Sequence, residues 1–222
     1  MFRSPSNISR LGFGLFCLAV LLVGTPLAAP GGREPPPGRA GGTQAAEQLY
    51  AGYWNAMTAR MRDGAHACEG APGGGCNLAH WVDWQALTDR LHGADARRQL
   101  AEVNRAVNRV RYRDDQDNWG RPDYWAAPRE FLARGGDCED FAIAKYLALR
   151  ALGYGPEDLR LLILFDTGRG TTHAVLAVVL DGRVLVLDNL HGAILPLGDL
   201  AHYRVRYSLN ERIVVRHLAR SP

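Results

Sequence analysis

The distribution of apolar residues changes midway along the chain, from helical spacing to strand spacing. In the first half, apolar residues recur every three or four positions, which places them on one face of a helix. This spacing predicts helices over residues 44–62, 78–91, 95–112 and 138–152. The last of these is apolar on nearly all sides, which predicts a buried helix. The later apolar runs are short and rich in valine and leucine, and they predict strands over residues 159–165, 172–180, 183–189, 203–208 and 212–218. Helices followed by antiparallel strands predict an α+β fold.

The first 43 residues carry the pattern of an exported protein. Two arginines precede an apolar run over residues 11–23, and small residues follow it, which is the layout of a signal peptide (1–29). The run is too short to cross a membrane comfortably, although prolines at positions 26 and 30 leave retention as an N-terminal inner-membrane anchor as an alternative. A linker rich in proline and glycine (30–43) then leads to one predicted domain (44–222). We therefore expect a periplasmic protein.

Composition and charge change this picture little. The apolar fraction is 47%, which is ordinary for a globular protein, and the formal net charge is +3. The 26 basic residues, all arginine except Lys145, are spread along the chain without the aromatic interleaving of a nucleic-acid-binding stretch. We therefore expect no nucleic acid partner.

The cysteines divide into a predicted pair and a free thiol. Cys68 and Cys76 flank a loop of glycine and proline, and in an exported protein this arrangement predicts a disulfide. A zinc site is the weaker alternative, since only His66 and His80 could complete it. The disulfide leaves Cys138 as a free thiol in the mature domain.

The position of Cys138 is that of a nucleophile. It follows Asp137, a suitable N-cap residue, and therefore occupies the first position of the predicted helix 138–152. Backbone N–H groups and the helix dipole favour a thiolate at that position. The alternative is that Cys138 is a small buried apolar residue.

A histidine and an aspartate are brought together by a predicted hairpin. Asp181-Gly182 favours a two-residue type I′ turn, which makes Leu180 face Arg183. In that register His173 and Asp188 are diagonal neighbours on one face of the ribbon, within reach of each other. Each could instead be a structural residue, a satisfied strand-end histidine and a turn former. Together with Cys138 they predict a thiol hydrolase with a Cys-His-Asp triad.

Three acids next to the thiol point to a cation. Asp137, Glu139 and Asp140 would raise the pKa of Cys138 unless their charge is neutralised. Ligands that are all oxygen suggest calcium rather than zinc, and the acidic stretch 114–120 could supply more oxygens. That stretch is not an EF-hand loop, because Ala126 occupies the position of the closing glutamate. The alternative is that the three acids are ordinary helix caps.

Several segments between residues 47 and 218 resemble the bacterial transglutaminase-like cysteine peptidases. The resemblance rests on residues 117–120, 123–131, 136–146 (G-D-C-E-D-F-A-I-A-K-Y), 173–178 and 187–189. It implies a papain-like fold in which the cysteine helix packs on an antiparallel sheet. It also implies a Cys138–His173–Asp188 triad and calcium bound by Asp137, Glu139 and Asp140.

The resemblance further implies a substrate and a regulator. Proteins of this type cut a large cell-surface adhesin near its N-terminus at a di-alanine site, which controls biofilm attachment. An inner-membrane receptor for cyclic di-GMP holds them inactive. Because the same triad transfers acyl groups to water or to an amine, a transglutaminase or amidase acting on exported proteins is one alternative. A catalytically silent peptide-binding module is the other.

Overall fold

The structure, a computed structural model, describes residues 43–62 and 79–218. The predicted signal peptide (1–29), all but the last residue of the predicted linker (30–43), and the predicted Cys68–Cys76 disulfide with its zinc alternative lie outside the described residues. Within those residues, no helix is both long enough and apolar enough to cross a membrane.

Helices come first in the described chain, as predicted. They are α1 (Thr43–Arg62), α2 (Ala79–Leu91), α3 (Ala96–Val107), α4 (Asp115–Trp119), α5 (Pro128–Arg134) and α6 (Cys138–Ala151). The predicted bounds of α1, α2 and α6 are correct to within one residue at each end. Helices α4 and α5 were not predicted, because five and seven residues are too few to show a helical period.

Helix α3 ends earlier than its predicted end at residue 112. Asn108 caps it, and the next two backbone N–H groups bond three residues back in a tighter turn. The chain then extends, because Tyr112 forms a bridge with Gly136, just before α6 begins. The apolar spacing of the sequence continued past the point where this long-range contact ends the helix.

The strands form one antiparallel sheet in the order β4-β3-β2-β1-β5-β6. Their bounds are β1 (Leu159–Asp166), β2 (Thr171–Leu180), β3 (Arg183–Leu187), β4 (Leu195–Pro196), β5 (Tyr203–Leu209) and β6 (Val214–Arg216). The α+β class is therefore confirmed. Strand β4 was not predicted, since its two residues carry no pattern, and β6 is shorter than predicted.

The predicted hairpin register is confirmed. Leu180 pairs with Arg183, and both turn residues have positive φ, 51° at Asp181 and 73° at Gly182, as a type I′ turn requires. The ladder ends at the Leu176–Leu187 pair, so Asp188 lies one residue beyond β3 rather than within the predicted strand 183–189. Its side chain is thereby free to turn toward His173.

The core forms where α6 packs on the sheet. Helix α6 is buried on nearly all sides, and it contacts α3, α5, β1 and β2. Ile143 of α6 and Leu161, Leu176 and Leu187 of the sheet are almost fully buried in one cluster. Val175 belongs to a second, smaller cluster of buried apolar residues. This packing fixes the start of α6 against the start of β2.

Candidate active site

The turn into α6 places Cys138 at the first helical position, as predicted. Gly135 has a φ of 83°, a conformation that favours glycine, and Asp137 is the extended N-cap residue. A methyl group at Gly136 would lie 2.0 Å from Oδ2 of Asp140, so only glycine fits there. Asp140 reaches back to accept a hydrogen bond from the backbone N–H of Asp137 at 3.3 Å.

His173 and Asp188 are in direct contact, as the hairpin register predicted. Nε2 of His173 lies 3.0 Å from Oδ1 of Asp188, and each residue is only 2% exposed. Because an ionised carboxylate only accepts hydrogen bonds, Nε2 carries the proton in this pair. The other ring nitrogen, Nδ1, is then the one left to take a proton from a thiol.

The Asp188 carboxylate accepts three hydrogen bonds. Besides His173, the backbone N–H of Leu190 donates to Oδ1 at 2.9 Å and the hydroxyl of Tyr203 donates to Oδ2 at 2.5 Å. Burial raises the pKa of Asp188, but the bonds from His173, Tyr203 and Leu190 outweigh it and lower that pKa to about 2. Asp188 is therefore a stable anion beside the imidazole. Tyr203 was not predicted, because it comes from β5 and no local pattern connects it to Asp188.

Cys138 and His173 line the same cavity of about 390 Å³, together with Tyr112, Arg169 and Leu190. The structure thus brings the three predicted triad residues to one place, Cys138 from α6, His173 from β2 and Asp188 from the end of β3. A cysteine and an imidazole that line one cavity, with a carboxylate bonded to the imidazole, are the groups that nucleophilic acyl transfer requires.

The acids beside Cys138 oppose formation of a thiolate. Burial raises the pKa of the thiol well above its ordinary value, and the charges of Glu139 and Asp137 raise it further. The thiol donates a hydrogen bond to Oε2 of Glu139 at 3.3 Å. A cation among these acids would remove this effect.

Two further aspartates join the predicted cation ligands. Ligand atoms lie within 4.8 Å of one another in three overlapping sets: Asp115 with Asp137 and Asp140, Asp115 with Asp123 and Glu139, and Asp137 with Cys138 and Glu139. Asp115 begins α4 and belongs to the acidic stretch 114–120. Asp123 was missed, and its only signal was its place in the segment 123–131 that carried the resemblance.

The five carboxylates have the chemistry of a calcium site. Buried Oδ1 atoms of Asp115, Asp123 and Asp137 have no hydrogen-bond partner among the described residues. Burial and neighbouring carboxylates raise the pKa of Asp115 to about 7, of Glu139 to about 8 and of Asp137 to about 9. An all-oxygen donor set with unused buried oxygens fits Ca²⁺, which binds six to eight oxygens.

Hydrogen bonds to and from the backbone hold this acidic cluster next to the turn before Cys138. The side-chain amide of Asn118 in α4 donates to the carbonyl of Gly135 at 3.0 Å, which ties α4 to the turn before Cys138. The backbone N–H of Ala126 donates to Oδ1 of Asp140 at 2.7 Å, and that of Tyr124 donates to Asp115. The clustered carboxylates and the turn that carries the Cys138 thiol are therefore joined by hydrogen bonds.

Comparison with known proteins agrees with this arrangement. Solved structures of Legionella pneumophila LapG are 32% identical to the chain. One superposes with a TM-score of 0.57 and covers 62% of this chain and 77% of its own. The calcium-bound form superposes with a TM-score of 0.58, and the match covers 64% of this chain and 81% of the LapG chain. The EGTA-treated form also gives a TM-score of 0.58, with 64% of this chain and 78% of the LapG chain covered. No functionally curated protein matches the chain significantly.

The family model of the bacterial transglutaminase-like cysteine proteinases matches residues 82–211, which is more than half of the chain and includes Cys138, His173 and Asp188. The chain belongs to this family of cysteine peptidases.

Proposed function

We propose that this protein is a periplasmic, calcium-dependent cysteine endopeptidase that releases a large cell-surface adhesin, under the control of an inner-membrane receptor for cyclic di-GMP. The observation that carries the proposal is the arrangement of Cys138, the His173–Asp188 pair and a five-carboxylate cluster around one turn of chain. The family supports peptidase activity. The adhesin and the receptor follow from the resemblance to adhesin-cleaving peptidases, and the periplasm from the predicted signal peptide.

In the proposed mechanism, Nδ1 of His173 takes the proton of the Cys138 thiol, and the thiolate attacks the carbonyl carbon of the scissile peptide. The backbone N–H of Cys138, unbonded within the first turn of α6, faces the developing oxyanion. His173 then gives the proton to the departing amine, leaving an acyl-enzyme. A water molecule, deprotonated by His173, hydrolyses the thioester and restores the thiol. Asp188 holds the imidazole in the required tautomer and stabilises its protonated form.

Calcium binding is proposed at Asp115, Asp123, Asp137, Glu139 and Asp140. A bound ion would supply positive charge that offsets the carboxylates beside the thiol. The unpartnered buried oxygens of this cluster support the proposal, as do the calcium-bound and EGTA-treated structures of LapG. The alternative, that the acids are helix caps without an ion, accounts for Asp140 but leaves the buried oxygens of Asp115 and Asp123 unexplained.

The proposal is tested by incubating the purified protein with large exported adhesins of its own bacterium, in calcium and in excess EGTA. We expect cleavage near the adhesin N-terminus in calcium, loss of cleavage in EGTA, and recovery with added Ca²⁺ but not Mg²⁺. Cys138→Ala and His173→Ala should be inactive but folded. Cross-linking or amide hydrolysis without chain cleavage would favour acyl transfer to an amine or amidase activity, and binding without any reaction would favour a binding module.

The regulatory part needs a separate experiment. The periplasmic domain of an inner-membrane cyclic di-GMP receptor from the same bacterium is added at increasing concentration to the cleavage reaction. We expect stoichiometric inhibition of adhesin cleavage. Cleavage that continues at a large excess of receptor domain would contradict this part of the proposal and leave the peptidase assignment unaffected.

A further inference from the structure

The lining of the cavity that holds Cys138 and His173 includes a permanent positive charge. Arg169 lines this cavity, and it lies in the turn between β1 and β2, just ahead of His173 in the chain. Among the described residues that line the cavity, it is the only arginine or lysine. The proposed mechanism gives its side chain no role.

Hydrogen bonds fix the turn that carries Arg169. Oδ1 of Asp166, which is buried at the end of β1, accepts from the backbone N–H of Gly168 at 2.9 Å and from that of Arg169 at 3.2 Å. The backbone N–H and the hydroxyl of Thr167 donate to the carbonyl of His202 at 2.9 Å and 3.0 Å. The backbone at Arg169 is thus anchored to β1 and to the residue before β5.

The guanidinium of Arg169 is not committed to another side chain. The residue is exposed, and its side chain makes no ion pair or hydrogen bond within the part of the chain that the structure describes. Asp114, a carboxylate in the same lining, accepts a hydrogen bond from the hydroxyl of Tyr112 at 3.2 Å instead. A guanidinium presents a fork of N–H donors that matches a carboxylate. Arg169 is therefore available to a carboxylate that a substrate brings into the cavity.

We infer that Arg169 is a specificity-determining residue of the peptidase, which binds an aspartate or glutamate side chain of the substrate close to the scissile bond. The inference rests on the endopeptidase activity proposed above and names a substrate feature that the cavity selects. Arg169 and Cys138 line one cavity of about 390 Å³, so a peptide whose carbonyl lies at the thiol passes near the guanidinium. A neutral side chain at that substrate position would lose the ion pair, and a lysine would meet a like charge.

The test begins with the adhesin of the same bacterium. An N-terminal adhesin fragment is cleaved in calcium, mass spectrometry of the products locates the cleavage site, and each nearby aspartate or glutamate is changed to its amide. We expect one such change to lower kcat/KM of the unaltered peptidase about 10-fold, as loss of a hydrogen-bonded ion pair would. Arg169→Gln should cleave the unaltered fragment less efficiently by a similar factor, and it should lose little more with the amide substrate.

Charge reversal makes the test sharper, and a second arginine provides the control. Arg169→Glu should prefer a fragment in which the selected acid is replaced by lysine. Arg183→Gln removes the same charge from an exposed arginine at the hairpin turn, the opposite end of β2 from Arg169, and should keep the kcat/KM of the unaltered peptidase. Thermal unfolding checks that the three variants are folded.

Three results would overturn the inference and leave the peptidase assignment in place. They are a cleavage site with no acidic residue near it, a loss in Arg169→Gln that is equally large with the acidic and the amide substrates, and an equal loss in Arg183→Gln. Absence of cleavage by the unaltered protein would instead overturn the proposed function, and the inference with it.

Discussion

At the scale of single residues, the two oxygens of the Asp188 carboxylate differ in how many hydrogen bonds they accept. Oδ1 receives His173 and the N–H of Leu190, whereas Oδ2 receives only the hydroxyl of Tyr203. Asp188 is 2% exposed, so water cannot replace a missing donor easily. Tyr203 therefore controls the rotation of the carboxylate plane and, through it, the orientation of His173.

Replacement of Tyr203 by phenylalanine should lower kcat more than it changes KM. The variant leaves a buried anionic oxygen without a donor, which costs roughly 1–3 kcal/mol and loosens the His173–Asp188 pair. We expect kcat to fall about 10-fold or more, less than the roughly four decades expected for Asp188→Asn from the loss of the correct tautomer. Steady-state kinetics on an adhesin peptide make the comparison. Normal turnover by Tyr203→Phe would show that Asp188 is held adequately by Oδ1 alone.

Lys145 is the second residue with an unusual environment. It lies two turns after Cys138 in α6, it is fully buried, and its Nζ has no hydrogen-bond partner among the described residues. Burial lowers its pKa to about 7, against the opposing influence of Asp188. Above about pH 7 the amine of Lys145 is therefore mostly neutral in the folded chain, whereas in the unfolded chain it stays protonated up to a pH of about 10.4.

Substitution Lys145→Met should stabilise the protein near neutral pH. Because the unfolded state binds the extra proton between pH 7 and about 10, the stability contributed by Lys145 rises across that window, by up to roughly 1.4 kcal/mol per pH unit. The free energy of unfolding of Lys145→Met minus that of the unaltered protein should thus be largest near pH 7 and shrink toward pH 10. Urea unfolding of both proteins at several pH values measures this difference. A constant difference would mean that Lys145 stays protonated in the folded state.

At the scale of elements, periodicity predicted the helices and strands whose burial follows their own sequence. Helices α1, α2 and α6 and the hairpin of β2 and β3 belong to this group, since helical spacing and the Asp181-Gly182 turn are local signals. The predicted bounds are wrong where a contact with a residue distant in sequence ends the element. Strand β3 ends at Leu187 because Asp188 bonds His173 and Tyr203, and α3 ends early because Tyr112 pairs beside Gly136.

The same distinction applies to the candidate site. Cys138, His173 and Asp188 could be predicted because a helix start and a hairpin register place them. Asp123 and Tyr203 could not, because their contacts depend on how separate elements pack. Assignment of the cluster as a calcium site and of the triad as catalytic stays a prediction until activity and binding are measured.

Helix α3 contributes a specific support to the loop after β3. The amide of Asn108, its C-cap, donates to the carbonyl oxygen of Asp188 at 2.8 Å, and that of Asn104 donates to the carbonyl of Gly192 at 3.3 Å. Two side chains one turn apart thus hold the two ends of this loop. The first of them acts directly on the residue that orients His173.

Variants of these two asparagines should differ in their effect on catalysis. Asn108→Ala removes the donor to Asp188, so we expect roughly 1–3 kcal/mol lower stability together with a lower kcat. Asn104→Ala, the matched control, should lose stability without a comparable loss of kcat, since Gly192 lies four residues from Asp188. Unfolding curves and kinetics for both variants test this. Equal losses of kcat would mean that the loop moves as a unit.

At the scale of the whole molecule, one short segment of chain serves two purposes. The turn before α6 positions the thiol, and three of the five clustered carboxylates come from its N-cap residue Asp137 and from Glu139 and Asp140 in its first turn. Segments from α1, from α4 and from the chain before α5 close around them. Folding of the domain therefore has to bring together carboxylates that repel one another when ionised, and stability should depend on pH and calcium jointly.

The sign of that dependence follows from the raised pKa values. In the absence of calcium, Asp115, Glu139 and Asp137 keep protons in the folded state up to about pH 7, 8 and 9, whereas they lose them near pH 4 when unfolded. The folded state thus binds more protons than the unfolded state between about pH 4 and 9, so the stability from these groups falls as pH rises through that window. Calcium binds the deprotonated carboxylates of the folded state and stabilises it by mass action.

The rise in Tm caused by a fixed excess of Ca²⁺ over EGTA should therefore be larger at pH 8 than at pH 5.5. At pH 5.5 the ion must displace protons from the cluster, whereas at pH 8 fewer protons remain and the apo protein carries more uncompensated charge. Scanning calorimetry at the two pH values measures the shift. The variant Asp123→Asn, which removes one ligand charge, should reduce the shift most clearly at pH 8. A shift of the same size at both pH values, or one reproduced by Mg²⁺, would contradict calcium binding by these carboxylates, because Mg²⁺ demands a tighter octahedral site.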